Sequence, residues 1–328
     1  MKNQSSLDVS FTACMLSGRA TFDKPEDGTH VASVTAMSRD DGQLWPEGFS
    51  FGVSEFTTWP WPFRQDVDHY ASLGVQAMEV CEFKLRHGSY PEQLQQIVES
   101  GLLISSAQPE VRTLFPSQSQ PEPKDVDQRM SRFLETIRGF GEFASGLAFV
   151  TNSGNPPNGN IQHVLDVAVD QYRRLADRAS EYGARIAFEP LNPSIMNVES
   201  AVWTLTQALE LAQAVDRSNF GICLDLWNVW QNAGIDETIR ECGGRTFVVQ
   251  VSDWRTPRST QDRLIPGDGV IPLPTLLRAI RESGFRGAIS VEIFSGEVPD
   301  SLWEGDLEEV IRQSRKGLNR AWSHNGAT

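Results

Sequence analysis

The sequence predicts an α/β chain folded as a (β/α)8 barrel. Eight short apolar runs of strand type follow Phe49, and amphipathic stretches of helix length alternate with them nearly to the end. The stretch after the first run reads SEFTTWPWPF, without the glycine fingerprint that usually announces the main competitor, a doubly wound open sheet. The chain has 328 residues, and the part beyond residue 47 has the size such a barrel takes, roughly 250 residues or somewhat more.

Residues 1–47 are polar, rich in Ser, Asp and Gly, and lack sustained periodicity. They are expected to form an irregular N-terminal extension, either a flexible arm or a cover on the main body, ahead of a barrel domain over 48–328. The predicted strands are Phe49–Val53, Val75–Val80, Leu102–Ala107, Leu147–Thr151, Arg185–Glu189, Gly221–Asp225, Thr246–Val251 and Ala288–Phe294. Between Ile161 and Tyr182, apolar residues recur at spacings of three and four, which predicts a helix. The same pattern is read from Val198, with Asn197 as its cap, and again from Leu273 to a stop at Gly284. Two long loops, Pro109–Asp125 and Ser252–Ile271, are placed to cover the mouth of the barrel.

Composition excludes several classes. With 43 Asp+Glu against 29 Lys+Arg, the net charge is −14. A chain this acidic suits neither a nucleic-acid binder nor a peripheral membrane binder, both of which need clustered cations. No apolar run reaches the ~18 residues of a membrane span, and Asp8 interrupts the stretch that would have to be a signal peptide's apolar core. Cys14, Cys81, Cys223 and Cys242 are widely spaced and read as thiols of a reducing compartment, so a cytoplasmic location is expected.

Strands covered on both faces should be nearly all apolar. Four break that rule near their carboxyl ends: Glu189 in RIAFEP, Asp225 in GICLDLW, Gln250 in FVVQVSD and Glu292 in AISVEIF. In a barrel those ends converge on one face. Each acid alone could cap a helix or pair with an arginine, but three carboxylates and an amide brought to one point need a cation, because like charges in contact raise each other's pKa. The donors are all oxygens, which favours one divalent ion, Mn²⁺ foremost, with Mg²⁺, Co²⁺ or Zn²⁺ as alternatives.

With these strand ends, the pieces AFEPLN at 187–192, CLDLWN at 223–228, VQVSD at 249–253, DRLIPGDG at 262–269 and VEIF at 291–294 resemble the sugar phosphate isomerase/epimerase family. That family belongs to the xylose isomerase-like TIM barrel superfamily and includes hydroxypyruvate isomerase, inosose-processing enzymes and ketose 3-epimerases. The resemblance covers approximately residues 48–295. It implies that Glu189, Asp225, Gln250 and Glu292 hold one divalent metal, with Gln250 where most members have His. Asn228 stands where many members have a substrate-touching His, and it cannot carry a proton at neutral pH.

The implied activity is isomerisation or epimerisation of a keto sugar, cyclitol ketone or related hydroxy-carbonyl compound through a metal-stabilised enediolate. Glu189 and Glu292 serve as base and acid. The same enolate would serve a lyase, either a dehydratase or an enzyme cleaving carbon glycosides of 3-keto sugars. A non-catalytic sugar-binding barrel, or one subunit of a hetero-oligomer, is the reading from another class, and a homo-oligomer is equally compatible. An abasic-site endonuclease of the same superfamily is disfavoured by the acidity and by the absence of His at 228 and 250.

Arg263 is the candidate for steadying a developing oxyanion, against a loop-anchoring ion pair with Asp262 or Asp268. Trp59, Trp61 and Trp227 follow predicted strands and are candidates to stack on a substrate ring, as is Asn228 to hydrogen-bond it. Glu79 and His87, at and after the second strand, complete the candidate substrate contacts. His69 and His163 read as surface histidines.

Overall fold

The computed structural model describes residues 45–324. Residues 1–44, most of the expected extension and Cys14 with it, lie outside the described residues.

Eight parallel strands close into a barrel in simple sequence order. They are β1 (Phe49–Ser54), β2 (Ala77–Cys81), β3 (Leu103–Gln108), β4 (Ala148–Thr151), β5 (Arg185–Phe188), β6 (Phe220–Asp225), β7 (Thr246–Val251) and β8 (Gly287–Val291). Closure is made by β1 against β8, in register from Phe49 opposite Gly287 to Val53 opposite Val291. All eight predicted strands are present, β7 with the predicted bounds and the others with ends shifted by at most three residues.

The helices are α1 (Phe63–Ser72), α2 (Tyr90–Glu99), α3 (Val126–Gly139), α4 (Ile161–Ser180), α5 (Leu205–Val215), α6 (Leu226–Val229), α7 (Ile235–Cys242), α8 (Leu273–Glu282) and α9 (Leu307–Ser323). The predicted α4 and α8 fall where the periodicity places them, and Gly284 ends the α8 segment with φ +88°. The helix expected from Val198 starts instead at Leu205. Thr204 caps it in a full capping box with Gln207, while Asn197 takes a left-handed φ of 65° and belongs to a turn.

Strand alternation divides the side chains between two compartments. Outward residues such as Ile186, Phe188, Ile222, Leu224 and Val249 join the helices in the main core. Inward residues form a small separate cluster of Ala148, Val150, Ala187, Cys223 and Val248. Two residues further along the same inward face come Glu189, Asp225 and Gln250. The polar exceptions in the sequence are therefore the last inward positions, where the filled barrel gives way to its mouth. Among the described residues, no helix is long and apolar enough to cross a membrane.

Candidate active site

Glu189 stands one residue past β5, Asp225 ends β6, Gln250 is the fifth residue of β7, and Glu292 is one past β8. One carboxylate oxygen from each of Glu189, Asp225 and Glu292 lies within 4.8 Å of the others, and all three side chains are buried. A divalent ion with oxygen ligands at about 2.0–2.6 Å sets its ligand atoms at such mutual distances. The donor set therefore fits a hard cation.

Buried arms hold the acids in place. Asp225 accepts from the Trp227 N–H through Oδ1 at 3.0 Å, capping α6. The Asn228 amide donates to Glu189 Oε1 and to Asp225 Oδ2, both at 2.8 Å, and its own Oδ1 accepts from the Asn192 N–H. Asn228 is fully buried and does not line the cavity; it bridges two acids instead of reaching substrate. Glu79 also lies beneath the floor, accepting from Ser106 Oγ at 2.6 Å and from the Gln250 amide at 2.9 Å.

Gln250 departs from the expected ligand role. Its Nε2 faces the acids, donating to Glu79 and to Glu292 Oε1 at 2.8 Å. Its Oε1 accepts from the Cys223 thiol at 3.0 Å. In this orientation Gln250 is a donor to the cluster, and its oxygen reaches a cation only if the amide turns over.

Arg263 supplies the buried positive charge. Its Nη1 sits 2.9 Å from both Asp225 Oδ2 and Glu292 Oε2, and its guanidinium lies 4.7 Å from the ring centres of Trp227 and of Phe294. The expected alternative, a pair with Asp262 or Asp268, is not what forms: Asp262 binds Arg255 and Arg258. The 252–271 loop is built to present Arg263. Buried Asp253 accepts from the Trp254, Gly267 and Ile271 N–H groups, and the Arg263 N–H donates to Phe294 O at 2.9 Å.

One arginine does not balance this many acids. Burial, then the charge of Asp225, pushes Glu189 up to about 8. Burial raises Asp225 despite Arg263, and it raises Glu292 well above the carboxylate range, with Glu79 adding to it. Burial alone would lower Arg263, but Asp225 and Glu292 more than offset it and its pKa is raised. A floor of raised carboxyls is the electrostatic signature of a site that takes a cation or exchanges protons.

Above the floor opens a cavity of about 450 Å³ lined by Glu189, Glu292, Arg263, Trp227 and Trp59 among others. Trp61 does not line it: the turn after β1 sends Trp59 to the mouth and Trp61 down onto His69, 4.5 Å between ring centres. Nor does His87, whose Nδ1 is held by the Tyr90 hydroxyl at 2.8 Å, beside a different cleft. Sequence reasoning missed Gln108, Arg112, Asn152, Phe294 and Trp303, which also line the cavity. Gln108 and Asn152 lie on the same rim as the acids, at the end of β3 and just past β4, a signal available in the sequence. Gln108 Oε1 is buried without a hydrogen-bond partner among the described residues.

Residues 67–321 match the family model described as xylose isomerase-like TIM barrel. An inosose isomerase of Bacillus subtilis (strain 168) is 30% identical over 160 residues, 47% of this chain and 55% of that protein. The chain thus spans about half the length of the relatives it matches first. A 3-dehydroshikimate dehydratase of Pseudomonas putida is 26% identical over 243 residues, 70% of this chain and 36% of that protein. The crystal structure of the IolI protein with a bound zinc atom superposes with a TM-score of 0.71 at 21% identity, covering 85% of this chain and 100% of that one. At that identity the likeness is one of fold.

Proposed function

The chain belongs to the xylose isomerase-like TIM barrel family, and from that premise we propose that it is an enzyme that moves a proton on and off the carbon beside a carbonyl of a keto sugar, cyclitol ketone or related hydroxy-ketone. The observation that carries the reading is the buried triad Glu189, Asp225 and Glu292 at the floor of the cavity, with two of its carboxyls lining that cavity.

The proposed cation is held by Glu189, Asp225 and Glu292. When bound, it supplies Lewis acidity that makes the C–H beside the carbonyl more acidic. The protein's own groups do the rest. Of Glu189 and Glu292, one removes the proton and the other returns one, as general base and general acid on the two sides of the reacting carbon. Arg263, fixed between Trp227 and Phe294, presents positive charge toward the oxygen on which negative charge develops. Gln108 lines the cavity, and its amide is the group to hydrogen-bond a substrate hydroxyl there. Asn228 and Gln250 hold the carboxylates in place.

Isomerisation and epimerisation return the proton to a neighbouring or the same carbon. A dehydratase would use the same enolate and expel a β-hydroxyl, and the dehydratase relative favours keeping that second reading. Incubation with Mn²⁺ in D₂O and a panel of ketoses, inososes and 3-keto glycosides tests the common step. Deuterium should enter beside the carbonyl, and Glu189→Gln or Glu292→Gln should slow its entry by about 10²–10⁴-fold. Wild-type protein that exchanges nothing across the panel with any of Mn²⁺, Mg²⁺, Co²⁺ or Zn²⁺ would overturn the reading.

A further inference from the structure

The cavity does not end at the acids. From Arg263 a continuous run of rings leads outward along its β1–β8 side. Phe294 lies 4.7 Å from the guanidinium, Phe56 lies 4.6 Å from Phe294, and Trp59 lies 6.1 Å from Phe56 with planes only 3° apart. Trp303 follows at 5.9 Å from Trp59, its plane tilted by 22°, and Phe83 closes the side at 4.8 Å. The Trp303 indole N–H is spent on Phe56 O at 3.1 Å, which locks that ring in place.

The outer end of this wall is unusual for a folded chain. Trp59 is 47% exposed, the one aromatic among the large apolar side chains that stand in solvent among the described residues. Phe83 and Trp303 beside it are partly exposed and Phe56 is buried beneath, and an open aromatic face at the mouth of a cavity is a place for a ligand to cover.

The two ends differ in chemistry. The floor offers carboxylates, amides and a guanidinium, whereas the shelf offers the rings of Trp59, Phe83 and Trp303, backed by the buried Phe56. Of its two indole N–H groups, that of Trp303 is already used internally. A single polyhydroxy ring held at Glu189 and Glu292 can touch Trp227 and Phe294. It cannot also cover Trp59, which lies two ring spacings further out, each spacing about 4.5–7 Å. The volume of about 450 Å³ falls within the span of pockets that take drug-sized ligands, roughly 300–1,000 Å³.

We infer that the Phe56–Trp59–Trp303 shelf is a second subsite for a flat aromatic ring joined to the reacting polyhydroxy ring, so that the substrate class is an aryl glycoside and not a free sugar or cyclitol. Parallel offset planes suit a flat ring, whose own quadrupole stacks on them. A second sugar ring would meet Trp59 with its C–H face alone and leave its hydroxyls to be kept solvated, so it gains less from covering the same ring. The inference rests on the proposed chemistry only for which ring reacts.

Binding without turnover tests it. Calorimetric titration of the whole chain with phenyl β-D-glucopyranoside, methyl β-D-glucopyranoside and cellobiose compares an aryl, a methyl and a sugar substituent on one polyhydroxy ring. The phenyl compound is expected to bind about tenfold tighter than the methyl compound, and Trp59→Ala to remove that advantage, with Trp59→Phe retaining part of it. Thermal unfolding of each variant verifies the fold, which a half-exposed side chain should little disturb. Equal affinities, no measurable binding of either glucoside, an aryl preference that survives Trp59→Ala, or cellobiose matching the phenyl compound would each overturn the subsite. Deuterium uptake by a one-ring inosose on wild-type protein is read separately. Uptake without aryl preference sinks the shelf alone, and aryl preference without uptake on any ketone sinks the enolisation chemistry alone.

Discussion

Glu189 illustrates how burial turns an ordinary carboxyl into a chemical tool. Its pKa is pushed up to about 8 by burial and by Asp225, whereas an unfolded Glu titrates near ~4.3. In the cation-free chain the unfolded state therefore ionises first, and the fold loses stability as pH rises from about 4.5 to about 8, with no further loss from this group above that. A cation bound to Glu189 must displace its proton, so affinity for Mn²⁺ should rise with pH and level off above about 8. Calorimetry in buffers of different ionisation enthalpy would count the protons released at pH 7; release of none would mean that Glu189 is not a ligand. Arg263 gives the complementary test. Arg263→Ala leaves Asp225 and Glu292 without their buried partner, a loss of about 3–5 kcal/mol by analogy with broken buried pairs. Because the cation would share Asp225 Oδ2 and Glu292 Oε2 with Arg263, Mn²⁺ should raise the melting temperature of this variant more than that of wild type. Equal shifts would show that the two do not compete for the same oxygens.

Elements are placed by caps and close approaches that periodicity alone does not weigh. The α5 helix begins at Leu205 because Thr204 and Gln207 satisfy each other's end of the backbone. The apolar spacing from Val198 looks equally helical, but the turn at Asn197 takes that stretch out of helix. Thr204→Ala should cost about 1 kcal/mol, read as a shift in the urea midpoint with unchanged slope. The loop that delivers Arg263 leans on α9 at Gly317, where an added Cβ would stand 1.7 Å from Pro266 O. Backbone cannot yield as a flexible side chain does. Gly317→Ala should therefore destabilise by several kcal/mol and displace the 252–271 loop, with proteolysis in that loop rising before global unfolding. Protection unchanged from wild type would show that the loop is held by Asp253 alone.

At the scale of the whole molecule, barrel closure brings residues more than a hundred positions apart to one point. The charge that gathers there is a liability to the fold and an asset to its use. A divalent cation that binds the folded chain only should stabilise it by about 2.7 kcal/mol at a concentration of 100 times Kd, and a chelator should reverse the gain. A melting temperature indifferent to Mn²⁺, Mg²⁺, Co²⁺ and Zn²⁺ would remove the cation from the proposal. The eight strands and the inward acids of β5, β6 and β8 were determined by the sequence itself. Strand periodicity and a polar side chain breaking an apolar run are local properties, and local properties are written in the order of residues. What only the tertiary structure decided is where side chains point once strands lie beside one another. It turned Trp61 and His87 away, put Asn228 and Glu79 beneath the floor, and rotated the Gln250 amide toward Glu292 because the Cys223 thiol, one inward position below Asp225, donates to its oxygen. It also brought Phe56, Trp59 and Trp303 together into one shelf. Packing and hydrogen bonding between elements distant in sequence settle such orientations, and no local pattern encodes them.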